Sequence, residues 1–75
     1  MQNELRTLRQ MSGMSQFELA RRSGVDRSKL SLVENGHVEL RPEEANVVRK
    51  VLLERIESRA AQFKSALSGS ESVAV

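Results

Sequence analysis

Arg27, Ser28, Ser31 and Leu32 are the residues of this chain best suited to chemistry, and that chemistry is recognition by hydrogen bonding rather than bond making. A guanidinium carries a planar fork of donors, a hydroxyl both donates and accepts, and a leucine offers apolar contact. Together on one helix face they could read the edges of DNA bases. Arginine grips O6 and N7 of guanine, serine adapts, and leucine touches a thymine methyl. Residues for other chemistry are missing. The chain has no Cys and one His, so disulfides and thiolate metal sites are excluded and His37 has no imidazole partner. It is read as a solvated loop residue, with contact to a phosphate when protonated as the alternative. No Gly-rich phosphate loop, Gly-x-Ser-x-Gly or His-Glu-x-x-His occurs, which argues against an enzyme, and neither a cofactor nor a metal is expected.

The elements that position those residues follow from punctuation and periodicity. Gly13, Gly24, Gly36 and Pro42 cut the 75 residues into four amphipathic segments, and an all-α chain is expected. The first helix runs from about Asn3 to Ser12, with Leu5, Leu8 and Met11 as its apolar stripe. The second opens on Ser15-Gln16-Phe17-Glu18, a capping box in which each side chain satisfies a backbone N–H of the first turn, and stops by Ser23. Val25 and the N-cap Asp26 lead into a third helix from Arg27 to Asn35. Ala20 lies where these two short helices cross, and Gly24 permits the positive φ of a tight turn. At 100° per residue Leu30 and Val33 share the inner face of the third helix, and Arg27, Ser28, Ser31 and Leu32 share the outer one. Lys29, on the flank, suits a phosphate. Arg21 and Arg22 are either backbone-binding charges or a solvated face.

Charge is consistent with an acidic partner. The net charge is +2, and residues 1 to 36 hold six Lys and Arg against four Asp and Glu, whereas residues 37 to 75 hold six of each. The excess sits in the half that carries the outward face.

Leu8-Arg9, Met14-Ser15-Gln16, Glu18-Leu19-Ala20, Gly24-Val25, Ser28 and Glu34-Asn35-Gly36 together resemble the Cro and phage-repressor (XRE-type) helix-turn-helix family over roughly residues 4 to 52. The resemblance implies a bundle of four or five helices, with the third reading the major groove and the second lying across the DNA backbone. It further implies phosphate contacts from Gln16 at the start of the second helix and from Asn35, and an Arg9–Glu34 ion pair that ties the first helix to the end of the third.

The fourth segment departs from that pattern, because no Gly or Pro interrupts it between Pro42 and Gly69. Glu43 and Glu44 favour its first turn. A single helix over 42–67 would be about 39 Å long, against a radius of gyration of about 11 Å for a 75-residue globule. Ile56, Ala60, Phe63 and Leu67 would then stand exposed on a monomer, which points to a homodimer; the alternative is a broken helix folded back onto its own core. Residues 68–75, rich in Ser and Gly, are expected to form a flexible tail after a domain spanning 1–67.

These features predict a sequence-specific DNA-binding regulator that acts as a homodimer on double-stranded DNA. A phage or mobile-element repressor, an antitoxin and a restriction controller are all compatible subtypes. The alternative is a module that binds another protein through the same scaffold or the long helix, against which Arg27 and Lys29 argue. The start lacks a signal-peptide run and the longest aliphatic stretch is Val51-Leu52-Leu53, so a cytoplasmic protein without a membrane span is expected.

Overall fold

The computed structural model describes the backbone of residues 2–74 and the side chains of residues 4–67. Its order is α1 (Gln2–Ser12), α2 (Gln16–Ser23), α3 (Arg27–Glu34) and α4 (Pro42–Ala74), with no strand among the described residues. Local chemistry sets the starts of α2, α3 and α4. Ser15 Oγ accepts the Glu18 N–H at 3.0 Å, and Asp26 Oδ2 accepts the Ser28 N–H at 2.9 Å. At α4 the reverse half of a capping box appears, with the Glu44 carboxylate accepting the Arg41 N–H at 2.9 Å. The capping box expected at α2 is likewise only half made. Glu18 turns its carboxylate to Arg22 and Arg55, at 3.1 and 2.9 Å, rather than back to Ser15.

Helices α1 and α2 both pack on α4 and on α3, and the core forms between them from Leu5, Met14, Leu19, Val25, Leu30, Val33, Val48 and Leu52. Leu8 is only half-buried and Met11 is 55% exposed, so the stripe expected on α1 is displaced. The reason is angular. At 100° per residue Met11 lies about 120° away from Leu5, whereas Ser12 lies within about 20° of it. Ser12 accordingly points inward. Its buried hydroxyl donates to the Arg9 carbonyl at 2.6 Å and accepts the Met14 N–H at 3.1 Å.

One uninterrupted helix of 33 residues forms α4, and it outruns the globule. The molecule measures 53 × 19 × 18 Å, with a radius of gyration of 15.2 Å where a compact chain of this length would have about 11 Å. Val48 and Leu52, with the half-buried Val51 beside them, form the core-facing stripe. Arg55 and Arg59 continue it as polar contacts at the rim, with Arg59 Nη1 donating to the Met11 carbonyl at 2.7 Å. From Glu57 to Leu67 every residue is exposed. The backbone of 68–74 remains helical where composition suggested a tail, since Gly69 costs about 1 kcal/mol but no proline stops propagation.

Leu52 and Leu53 are neighbours with opposite surroundings, 0% and 42% exposed. Leu52→Ala is expected to lower stability by about 2–5 kcal/mol through its cavity, and Leu53→Ala by less than about 0.5 kcal/mol in dilute protein, as read by urea unfolding.

Candidate nucleic-acid interface

The α2–turn–α3 unit is held by small residues and short hydrogen bonds. Gly24 adopts φ +79°, donates its N–H to the Ala20 carbonyl at 2.9 Å, and is followed by the buried Val25, whose N–H donates to Ser23 Oγ at 3.2 Å. An L side chain at position 24 would meet nothing within 4 Å, so the positive φ alone restricts it to glycine. Ala20 packs on the core cluster beside the turn. At its far end α3 closes with His37 N–H donating to the Leu32 carbonyl at 2.8 Å and Gly36 N–H to that of Val33 at 3.0 Å, a Schellman motif.

Leu30 and Val33 are buried, so their helix shows its other face to solvent. Arg27, Ser28 and Leu32 are exposed and Ser31 is half-buried. These four residues and Gln16, from the first turn of α2, line one shallow depression. Arg27 forms no salt bridge among the described residues, so its guanidinium is available to a ligand.

Behind that face sits a buried carboxylate. The Glu34 side chain is 1% exposed; Arg9 Nε donates to its Oε2 at 2.7 Å and Arg9 Nη2 to its Oε1 at 3.0 Å, a bidentate pair. Arg6 Nε approaches at 3.5 Å, and the Gln16 side chain lies near enough to favour the charged form as well. Burial pushes the Glu34 carboxyl upward, but the hydrogen bonds and charge of Arg9, with Gln16 and Arg6, outweigh it and hold the group below its ordinary value. Asn35 lies beside this cluster, donating to the Ser31 carbonyl at 2.9 Å and accepting from Arg6 Nη2 at 3.1 Å. Lys29 is placed differently from a free phosphate ligand. Its Nζ is 2.7 Å from Glu44, whose carboxyl is lowered by that contact and by the Arg41 N–H, so Lys29 braces α3 against the start of α4.

Three arginines carry more than their spacing suggested. Arg6 donates to the Glu34 carbonyl at 3.2 Å as well as to Asn35, which binds α1 to the end of α3. Its position three residues before Arg9, on the same helix face, was the available signal. Arg55 and Arg59, four residues apart, fasten α4 to α2 and α1. Ile56 is half-buried, whereas Ala60, Phe63 and Leu67 are exposed and lie beyond the globule.

Two helices crossing at a glycine turn, the second presenting an outward polar face, define a helix-turn-helix. The chain belongs to the helix-turn-helix domain family of the XRE and Cro type, whose model matches residues 3–56. That domain type points to a DNA-binding regulator. No curated protein and no solved structure matches the chain. Among the described residues no helix is long and apolar enough to cross a membrane.

Glu34→Gln keeps the shape but removes the charge that Arg9 faces, and a loss of about 3–5 kcal/mol at neutral pH is expected. Because the folded-state pKa of Glu34 lies below the ordinary 4.5, its contribution is complete above 4.5 and fades as pH falls through the folded value. The gap between wild type and variant in thermal unfolding should therefore close in acid.

Proposed function

We propose that the protein is a sequence-specific DNA-binding transcriptional regulator of repressor type. It inserts α3 into the major groove, with Arg27, Ser28, Ser31 and Leu32 against base edges and with Gln16 and Asn35 on the backbone. The observation that carries this reading is the shared depression, in which the outward face of α3 and the first turn of α2 come together around a free guanidinium. Phosphate contacts fix register while base contacts specify sequence, and the two sets sit side by side here. Lys29, engaged by Glu44, reaches a phosphate only with that carboxylate in tow; its chief part is to set the angle of α3.

The regulator acts as a homodimer through Ile56, Ala60, Phe63 and Leu67. Three of these residues are exposed on an overhang that a monomer has no use for. Two copies of α3 would then occupy successive major grooves about 34 Å apart on a near-palindromic operator. Regulation would follow protein concentration or a partner protein, since a dimer populated by mass action binds DNA only where enough chain is present.

Selection from a randomised duplex library, followed by titration of the enriched site at two salt concentrations, tests this function. A two-fold symmetric site whose affinity falls steeply with salt is the expected result. Without enrichment, the alternative of a protein-binding module takes its place. Arg27→Ala is expected to lose about 1–3 kcal/mol on the selected site and to relax preference at one base pair per half-site. Equal losses on selected and random duplexes would show that Arg27 contacts phosphate instead.

A further inference from the structure

The overhang of α4 carries a second apolar stripe, distinct from the one that enters the core. Leu53, Ile56, Ala60, Phe63 and Leu67 follow at spacings of 3, 4, 3 and 4, an a/d heptad pattern. Its centre is rotated about 100° around the helix from the core-packing Val48, Val51 and Leu52. The exposures agree: Leu53 is 42%, Phe63 67% and Leu67 51% exposed, the first of them one residue past the fully buried Leu52. Glu57 and Lys64 fall at the two e positions beside this stripe. Neither has an oppositely charged neighbour three or four residues away, and neither forms a salt bridge among the described residues.

We propose that the Ile56–Leu67 part of this stripe pairs with the same part of a second copy in antiparallel orientation, with the two-fold axis passing between residues 61 and 62. This rests on the homodimer reading above and adds its geometry. Two independent properties of the residues select the orientation. The first is volume. Antiparallel pairing lays Ala60 against Phe63 of the partner subunit and Ile56 against Leu67 of the partner subunit, so small faces large; parallel pairing would stack alanine on alanine and phenylalanine on phenylalanine, a void beside a bulge. The second is charge. Antiparallel coils bring e positions together, which sets Glu57 against Lys64 of the partner subunit twice by symmetry. Parallel coils bring g against e, which sets Lys64 of the partner subunit beside Arg59, a like charge already held on the Met11 carbonyl, and leaves Glu57 beside the buried Leu52, so neither finds an opposite charge.

The same register places the DNA-binding units. The globule is centred on α4 near residue 50, about 17 Å from the axis at 1.5 Å per residue, so the two globules lie about 34 Å apart along the helix. That is one turn of B-DNA. The stripe covers only two heptads, so the pairing is weak and responds to concentration.

Sedimentation equilibrium of the full chain at low and high salt is the test. Lys64→Glu and Glu57→Lys should each raise the dimer Kd roughly five- to tenfold at low salt, less at high salt, and the double variant should restore it. A tighter dimer for Lys64→Glu would overturn the antiparallel register while leaving the dimer, because in a parallel coil the new carboxylate would attract Arg59 across the interface. No change in either single variant would overturn the register too. A wild-type chain that stays monomeric at high micromolar concentration would overturn the pairing itself. The chain has no Cys, which permits a second readout: oxidising a mixture of the E57C and K64C variants should give the mixed disulfide over either like pair. Efficient self-linking of an L67C variant would instead show a parallel pair.

Discussion

The buried carboxylate of Glu34 is the point on which the arrangement of the recognition face depends. A charge taken out of water is tolerated only with partners in good geometry, and its partners come from α1 and from the first turn of α2. The carboxylate sits at the end of α3, so meeting its demand fixes where three helices stand relative to one another. An apolar cluster of the same volume could supply equal stability but would not select one rotation of α3 about its axis. The ion pair does, because a bidentate fork accepts a single orientation. With the Gly24 turn at one end of α3, the Schellman closure at the other and Lys29–Glu44 on the flank, the helix has little freedom left.

This rigidity explains how so short a reading helix can be useful. An eight-residue helix is marginal alone, and its persistence comes from packing and caps. Leu30 and Val33 supply the packing, and Asp26 and Asn35 the ends. Arg27 and Ser28 can therefore project from the first turn with no structural duty of their own.

Much of this was legible in the residues. Small residues at 20 and 24, the Ser and Asp caps, and the alternation of faces on α3 placed the helix-turn-helix, because each has a steric or hydrogen-bonding cause acting within a few residues. The long-range partners of individual charges were harder to read. Lys29 looked like a phosphate ligand on a helical projection, but that projection omits α4, which brings Glu44 to its side. Glu18 matched a capping box locally, but two arginines compete for its carboxylate: Arg22, one turn on and visible in the sequence, and Arg55, far along the chain. Met11 kept the spacing of a core residue, yet successive steps of three drift around a helix of 3.6 residues per turn, and Ser12 took the inward place. The length of α4 was visible as a lack of breakers, whereas its change of face at Leu52–Leu53 emerges only once the core has an edge.

Arg59 closes the contact between the overhang and the body of the protein, and it does so across Gly13. A Cβ at position 13 would lie 2.6 Å from Arg59 Nη1, on a backbone with φ +75°. Two unrelated requirements, one conformational and one of space, thus meet at one residue. A side chain at 13 would oblige the Arg59 guanidinium to shift, and its contact with the Met11 carbonyl at the base of the extension would have to be remade around it. A glycine three residues before the α2 edge of the reading face thereby leaves room for the contact that ties the base of the extension to α1.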